Sequence, residues 1–324
     1  MKQKVLISTG GSGGHVIPAT VLYDHLSETN EVFISTDKRG LKYLDKSSYE
    51  IKIINTPRLN NFFSLPINLI IILLLIMKSF FLLKKKKIEC LISTGGYMSL
   101  PLILASKFIG IKIFLLEPNL VLGRANKIFL NSCKKIFCYN DKLKNFPSNF
   151  ENKIVKINPL IRKKFYEIKE KTNHKNKFRI LIVGGSQGAE VFDNKLKDSI
   201  INLSKKFSIE IIQQTNKKNV SNLVNLYSNN GIKNQIFNFN NNFVNYILQS
   251  DICITRAGAT TLAELSFLNV PFIAIPLPSS KDNHQLENAK FYFEKKCCWI
   301  VEQKLIENNV EKILRGIIEN KTDF

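Results

Sequence analysis

The sequence has few cysteines, and none of them forms a metal-binding pattern. The six cysteines include no C-x-x-C pair, and no His/Cys spacing resembles a zinc site. The first residues, MKQKVLISTGG, lack the sustained apolar core and the cleavage site of a signal peptide. We therefore expect a protein of the reducing cytoplasm, with free thiols and no structural metal.

Acidic residues are also scarce relative to basic ones. Lys and Arg number 47 and Asp and Glu 26, which gives a formal net charge of +21. Such an excess indicates an anionic partner, either a membrane surface, a phosphorylated ligand or nucleic acid. The alternative is compositional drift toward lysine, spread over a solvated surface. Because the basic residues are not interleaved with a recognisable nucleic-acid-binding module, we expect no nucleic-acid partner.

One long hydrophobic run is present. Residues 62–83 read FFSLPINLIIILLLIMKSFFLL, and four lysines follow at 84–87. The run is just long enough to cross a hydrocarbon core of about 30 Å. Pro66 and Lys78 interrupt it, however, so the pattern favours a helix that lies in the membrane interface with lysines near anionic headgroups. A helix buried within the domain and a transmembrane span remain as alternatives.

Short apolar runs alternate with longer helical patterns along the chain. The runs VLIST, EVFIST, CLIST and IKIFLLE are nearly continuous in apolar residues, which predicts a parallel sheet covered on both faces. After a lysine-rich passage at 169–177 the pattern restarts, and FRILIVGGSQGAEVFDN repeats the strand, glycine loop and helix start of VLISTGGSGGHVIPATVL. The sequence therefore predicts two similar α/β halves.

Each half begins with a glycine-rich loop between a strand and a helix. Glycine allows positive φ and lets a ligand approach the main chain, and the following helix offers unpaired N–H groups to an anion. A tight turn without ligand is the alternative for either loop alone. Together the loops predict two diphosphate sites, formed by Gly10, Gly11, Gly13 and Gly14 and by Gly184, Gly185, Ser186 and Gly188.

His15 follows the first loop at a predicted helix N-terminus. The helix dipole disfavours the imidazolium there, and a neutral imidazole accepts a proton from a substrate hydroxyl. An ordinary helix-start residue is the alternative. Neither loop matches G-x-G-x-x-G, but Asp37 lies after the second strand, where an NAD enzyme holds a ribose. An NAD-dependent oxidoreductase therefore remains an alternative.

Six motifs carry a resemblance to a known family. GGSGGHVIPA, TGGYMSLP, LLEPN, VGGSQGAE, TRAGATTLAEL and KDNHQLENA are collinear from about Thr9 to Gln303. Together they resemble the MurG family, the peptidoglycan N-acetylglucosaminyltransferases of the GT-B fold. The resemblance implies an α/β protein of two Rossmann-like domains whose parallel sheets face each other across a cleft. Residues 1–160 are expected to bind the acceptor and associate with the membrane, and residues 161–324 to bind the UDP-sugar donor.

The resemblance also implies the reaction. It is an inverting transfer of N-acetylglucosamine from UDP-N-acetylglucosamine to the 4-hydroxyl of undecaprenyl-diphosphate-linked N-acetylmuramoyl-pentapeptide. The expected enzyme is peripheral, on the cytoplasmic face of the inner membrane, and serves cell-wall synthesis, cell shape and division. No cofactor is expected, although Mg²⁺ carried by the donor stays open. His15 is the first candidate for the general base and Glu117 the second, and the acceptor site is implied to contain Gly11, Gly13, Gly14, His15 and Tyr97.

The donor site is carried over in the same way. Glu264 matches a carboxylate that accepts hydrogen bonds from both ribose hydroxyls, which suits a group that only accepts. Gln285 matches an amide that contacts the sugar hydroxyls. The other implied donor-site residues are Ser12, Gly13, Gly14, Asn119, Arg162, Ser186, Gln187, Gly188, Asn240, Ala259, Thr260, Thr261, Leu262 and Ala263.

Two positions depart from the family pattern. Pro118 stands where the family more often has Gln, and Arg162 falls one residue later than the family arginine. These departures leave room for a non-catalytic, membrane-bound nucleotide-sugar subunit that needs a partner chain. A UDP-sugar epimerase of the same fold, which releases free sugar, is a further alternative.

Overall fold

The structure is a computed structural model that describes residues 2–57, 65–168, 177–185, 189–238 and 243–321. It divides into two units, Met1–Lys163 and Lys164–Phe324. Each unit contains one sheet of parallel strands connected by helices, so the predicted α/β class is confirmed.

The sheet of the first unit has the strand order β3-β2-β1-β4-β5-β6-β7 among the described residues. Its strands are β1 (Lys4–Ser8), β2 (Glu31–Thr36), β3 (Ile51–Ile53), β4 (Cys90–Ser93), β5 (Lys112–Glu117), β6 (Lys135–Cys138) and β7 (Ile154–Lys156). Its helices are α1 (Gly13–Leu26), α2 (Leu65–Lys86), α3 (Leu100–Ile109) and α4 (Arg124–Phe129).

The sheet of the second unit has the order β10-β9-β8-β11-β12-β13 within the part of the chain that the structure describes. Its strands are β8 (Phe178–Val183), β9 (Ile209–Gln214), β10 (Lys233–Phe237), β11 (Ile252–Thr255), β12 (Phe272–Ala274) and β13 (Cys298–Ile300). Its helices are α5 (Ala189–Lys195), α6 (Lys197–Ser204), α7 (Val220–Asn229), α8 (Phe243–Leu248), α9 (Ala259–Phe267), α10 (His284–Glu294) and α11 (Ile306–Lys321).

The central strands are largely apolar because both faces of each sheet are covered there, whereas the edge strands β3, β7 and β10 carry polar and exposed residues. Along β1, Val5 and Ile7 belong to one buried cluster with Val16 of α1, whereas Leu6 belongs to another with Leu83 of α2. Successive residues of a strand point to opposite faces, so a sheet covered on both sides needs apolar residues at every position. This burial explains the continuous hydrophobic runs of the sequence.

Chain order reverses at one place in each sheet, between β1 and β4 in the first unit and between β8 and β11 in the second. Ligands of open parallel sheets bind at such switch points, outside the carboxyl ends of the strands. The first glycine loop follows β1, and the second begins after β8. Both loops therefore occupy the position in their own sheet where a ligand site is expected.

Helix α2 is the apolar segment that the sequence singled out. Residues 62–64 of the predicted run lie outside the described residues, and the helix continues to Lys86. Among the described helices, α2 is long and apolar enough to cross a membrane by length and composition. Its inner side packs into the first unit through residues such as Ile72 and Leu83, which are buried. The opposite side carries an outer apolar stripe, defined here as Ile67, Ile70, Leu74, Met77 and Phe81, which are 57–65% exposed.

Candidate active site

The first glycine loop turns sharply between β1 and α1. Gly10 and Gly11 have φ of 152° and 79°, and a Cβ on Gly10 would lie 2.7 Å from Oδ1 of Asp37, so the position requires glycine. Ser12 is the N-cap, and Gly13 and Gly14 begin α1. The first amides of an α-helix have no intrahelical acceptor, so the start of α1 offers backbone donors of the kind an anion binds, and the diphosphate site stays a prediction.

His15 is held by the loop that follows β4. Its Nδ1 lies 2.9 Å from the backbone oxygen of Thr94. Because a carbonyl oxygen only accepts, Nδ1 carries the hydrogen, and the lone pair of the neutral ring is on Nε2. The ring lies against Gly95, whose φ is 92° and on which a Cβ would lie 3.2 Å from Cε1 of His15. The neighbouring loop therefore fixes both the tautomer and the place of the ring.

Glu117 ends β5 and is 3% exposed. Its Oε1 accepts from the backbone N (3.3 Å) and Nδ2 (3.0 Å) of Asn119. Its Oε2 accepts from the backbone N of Gly123 (2.8 Å) and Nδ2 of Asn126 (2.9 Å). Burial raises the pKa of Glu117, and these hydrogen bonds act against that rise. The carboxylate thus fixes the loop that contains Asn119.

Asp37 is occupied by groups of its own unit. Its Oδ1 accepts from the amides of Gly11 (2.9 Å) and Gly40 (2.8 Å), and its Oδ2 accepts from Nη2 of Arg39 at 2.7 Å. Burial acts to raise the pKa of Asp37, but the two amides and Arg39 outweigh it and the pKa is lowered. A carboxylate that holds the glycine loop in this way is not presented to a ribose, which removes the observation behind the NAD alternative.

Tyr97 begins the short 3-10 turn after Gly96 and is half-buried. Its hydroxyl oxygen accepts a hydrogen bond of 2.5 Å from Nη2 of Arg39. Arg162 lies in the extended stretch after β7, next to Ile161, whose carbonyl oxygen is 3.1 Å from Nε2 of His25 on α1. The structure therefore brings Tyr97 to the first glycine loop and places Arg162 at the end of the first unit.

The described donor candidates of the second unit lie on α9 and α10. Ala259, the first residue of α9, follows the N-cap Gly258, and Thr260, Thr261, Leu262 and Ala263 follow it. Glu264, further along α9, is fully buried. On α10, Oε1 of Gln285 accepts from the amide of Leu277 at 2.9 Å, and Nδ2 of Asn288 donates to the oxygen of Ala257 at 3.2 Å. The second bond ties α10 to the segment before α9.

Four predicted residues, Ser186, Gln187, Gly188 and Asn240, lie outside the described residues. Among the described residues, no group of three or more His, Cys, Asp or Glu side chains is arranged to hold a metal ion. Residues that sequence analysis missed include Arg39, Thr94 and Asn126, which hold Tyr97, His15 and Glu117. Thr94 gave a signal as the first residue of the motif TGGYMSLP, and Arg39 as a residue two positions after Asp37 at the end of a strand.

Comparisons with known proteins agree with this architecture. The glycosyltransferase family 28 N-terminal domain matches residues 5–138, and the C-terminal domain of the same family matches residues 179–323. The chain is 48% identical to the UDP-N-acetylglucosamine–N-acetylmuramyl-(pentapeptide) pyrophosphoryl-undecaprenol N-acetylglucosamine transferase of Pelagibacter ubique, over 100% of this chain and 92% of that protein. It is 33% identical to the protein of the same name from Rickettsia bellii, over 98% and 90% of the two chains.

A solved structure supports the same assignment at the level of the fold. The crystal structure of MurG from Acinetobacter baumannii matches with a TM-score of 0.76 and 23% identity, over 99% of this chain and 92% of that chain. The protein is thus a two-domain glycosyltransferase of the GT-B type. The chain belongs to the MurG family within glycosyltransferase family 28.

Proposed function

We propose that this chain transfers N-acetylglucosamine from UDP-N-acetylglucosamine to the 4-hydroxyl of undecaprenyl-diphosphate-linked N-acetylmuramoyl-pentapeptide, in peptidoglycan synthesis. The observation that carries the proposal is the 48% identity, over the whole chain, to a relative named for this transfer. The first unit binds the lipid-linked acceptor, and the second unit binds the nucleotide-sugar.

His15 is the general base of this proposal. The reaction removes a proton from the acceptor hydroxyl as that oxygen attacks the anomeric carbon and UDP leaves. With Nδ1 protonated and donated to the oxygen of Thr94, Nε2 is the nitrogen that takes the proton. The imidazolium formed keeps its hydrogen bond to Thr94, so no rotation of the ring is needed. Glu117, whose two oxygens accept four hydrogen bonds from its own loop, is the second candidate.

The departing diphosphate is held by backbone donors. The backbone from Ala259 to Ala263 lines this site. The amides of its first three residues and the positive end of the helix dipole face the diphosphate, and Arg162 adds a cation. At the first loop the amides of Gly13 and Gly14 act in the same way, beside Ser12, whose own amide donates to the oxygen of Gly10 at 3.1 Å. Ser186, Gln187 and Gly188 of the second loop complete the diphosphate site of this proposal.

The nucleoside and the sugar are recognised by side chains. Glu264 accepts the two ribose hydroxyls, and the backbone at Asn240, a residue outside the described ranges, is assigned to the uracil. Gln285 has its oxygen on the amide of Leu277, so its NH₂ group is the part that donates to a sugar hydroxyl. Asn119, held by Glu117, contacts the sugar near the reacting carbon.

The enzyme works on the cytoplasmic face of the inner membrane as a peripheral protein. The support for this is the outer apolar stripe of α2, together with the exposed Lys84 and Lys85 in the last turn of the same helix, where Lys86 is paired with Glu50 at 2.7 Å. An apolar stripe with cations at one end matches the acyl boundary and anionic headgroups of a bilayer surface. Because the inner side of α2 packs into the first unit, the helix is expected to lie along the surface rather than cross it.

The test is sugar transfer by the purified chain. UDP-N-acetylglucosamine labelled in the sugar is incubated with the lipid-linked acceptor in detergent, and labelled lipid is extracted. Transfer that requires both the chain and the acceptor is expected. Release of free sugar without labelled lipid would favour an epimerase. If the chain bound UDP without transferring sugar, and adding a membrane extract restored the transfer, the non-catalytic subunit would be favoured.

A further inference from the structure

Arg39 is a charged residue that holds Tyr97 near the first glycine loop and has no part in the proposed function above. It belongs to the segment after β2, whereas Gly11 follows β1 and Tyr97 follows β4. Because β2, β1 and β4 are neighbours in the sheet, these three loops meet at its carboxyl edge. From this position Arg39 lies beside the other two loops, so it can hold them in a fixed arrangement.

The guanidinium is anchored on Asp37. Its Nε and Nη2 donate to Oδ2 of Asp37 at 2.9 and 2.7 Å. The other carboxylate oxygen holds the amides of Gly11 and Gly40, so the carboxylate itself is fixed by the backbone. Nη2 lies beside the glycine loop, 3.8 Å from where a Cβ on Gly11 would stand. A planar guanidinium that donates from two of its nitrogens is held in one orientation. The ammonium of a lysine, on a flexible stem, would not be fixed in this way.

This orientation determines the hydrogen bonding of Tyr97. Nη2 lies 2.5 Å from Oη of Tyr97, and the centre of the guanidinium is 5.4 Å from the centre of the ring. A guanidinium has no lone pair to accept with, so Oη must be the acceptor in this bond. The hydroxyl hydrogen of Tyr97 then points away from Arg39. The neighbouring positive charge also polarises that O–H group and makes it a stronger donor.

We propose that Arg39 is a positioning residue for the acceptor substrate, because it holds Tyr97 as a hydrogen-bond donor toward a phosphoryl or carbonyl oxygen of the lipid-linked acceptor. This inference rests on the proposed function, in which the first unit binds that acceptor. Arg39 acts through Tyr97 and not through its charge alone. The role therefore depends on the fork geometry, which lysine does not reproduce.

The experiment is steady-state transfer with each substrate varied in turn, for the wild type, Arg39→Ala, Arg39→Lys, Tyr97→Phe and the double variant Arg39→Ala/Tyr97→Phe. Loss of one such hydrogen bond is expected to raise the KM for the acceptor about 3- to 10-fold, with the KM for UDP-N-acetylglucosamine unchanged. Arg39→Lys is expected to behave like Arg39→Ala. The double variant is expected to be no worse than the more impaired single variant, because the two residues act as one unit.

Lys38→Ala is the matched control. Lys38 is exposed and adjacent to Arg39, and its backbone amide, which the substitution keeps, donates to Oδ1 of Asn55 at 2.8 Å. The control removes one positive charge from the same segment and is expected to leave both KM values unchanged. An equal rise in acceptor KM for Lys38→Ala would show that general charge is being measured and would overturn the proposal.

Three other results overturn it as well. These are restoration of wild-type acceptor KM by Arg39→Lys, additive effects in the double variant, and a wild-type acceptor KM for Tyr97→Phe. Tyr97→Phe leaves the Arg39–Asp37 pair intact, so it keeps the test valid even if Arg39→Ala unfolds. Absence of transfer by the wild-type chain refutes the proposed function and this inference together. If the wild-type chain transfers sugar and the Arg39 and Tyr97 variants keep its acceptor KM, only the inference is refuted.

Discussion

The two units use different means to present their candidate site residues. In the first unit, side chains are oriented by hydrogen bonds from neighbouring loops, as His15 is by Thr94 and Tyr97 by Arg39. In the second unit, most described candidates lie at the beginnings of α9 and α10, whose first amides have no intrahelical acceptor, and Glu264 lies further along α9. The acceptor is thus expected to be recognised mainly by side chains and the donor diphosphate mainly by backbone.

The difference teaches which substitutions each unit tolerates. Backbone donors survive the replacement of a side chain, so most single variants at the start of α9 are expected to be mild. Side chains held in networks do not have this protection, because removing one member leaves its partner misplaced or unpaired. Apart from Asn119 and Arg162, which the proposed function places on the donor, variants of the first unit should move acceptor and catalytic parameters, and variants of the second unit should move donor parameters.

The largest effect is expected for His15→Ala. Loss of a positioned general base lowers kcat by about 10²- to 10⁴-fold. UDP binding, measured by calorimetry, is expected to stay unchanged because His15 belongs to the first unit. Lys38→Ala, at an exposed position of the first unit, is the control and is expected to keep wild-type kcat.

A different pattern would move the base to another residue. If His15→Ala kept kcat within threefold while Glu117→Gln, which retains the shape of the side chain, lost two orders of magnitude, Glu117 would be the base. Glu117 would then be the catalytic group of the first unit, and His15 would have a structural role.

Glu264→Gln is expected to give the next largest effect. The change removes the charge and one of the two acceptor oxygens offered to the ribose, so the KM for UDP-N-acetylglucosamine and the Kd for UDP rise about 10- to 100-fold. The acceptor KM is expected to be unchanged. Glu302→Gln, an exposed glutamate of the same unit, is the control. A shift confined to the acceptor KM would contradict the assignment of the second unit to the donor.

The membrane-binding surface of the protein is expected to lie on the first unit alone. Phe81 on the outer apolar stripe is 65% exposed, and Phe293 on α10 is 54% exposed. Phe81→Glu is expected to weaken binding to anionic lipid vesicles about tenfold or more in a sedimentation assay, since it forfeits the burial of one aromatic side chain in lipid. Phe293→Glu is expected to bind like the wild type. Equal losses for both variants would contradict a surface confined to α2.

The smallest effect is expected for Gln285→Ala. It removes one neutral donor to a sugar hydroxyl, which is worth about 3- to 10-fold in the donor KM. The discrimination between UDP-N-acetylglucosamine and an epimer at the contacted hydroxyl should fall by a similar factor. Gln235→Ala, at an exposed position of β10, is the control. Unchanged discrimination would remove Gln285 from sugar recognition.

The parts of the fold that depend on residues close together in the chain were predictable from the sequence. Strands β1, β2, β4, β5 and β8, the helix that ends at Leu26 and the glycine turn before it follow from local hydrophobic pattern and from the conformations open to glycine. The apolar character of α2 was equally visible. What pattern alone did not reveal is that α2 packs one side and exposes the other, because that depends on which helix lies beside it.

The contacts that orient the site were not predictable in this way. His15 and Thr94 are 79 residues apart, and Arg39 and Tyr97 are 58 apart. Their meeting depends on the order of strands in the sheet, and strand order leaves no periodic signal in the sequence. The motif resemblance identified His15 and Tyr97 individually, but the partners that hold them emerge only from the folded sheet.

The outer stripe of α2 also bears on how the chain behaves away from a bilayer. Five large apolar side chains in one row attract the same row on another copy, whereas the net charge of +21 pushes copies apart. Added salt shortens the range of that repulsion and leaves the attraction in place. The purified chain should therefore stay dispersed in dilute buffer, cluster as ionic strength rises, and separate again when a mild detergent coats the row.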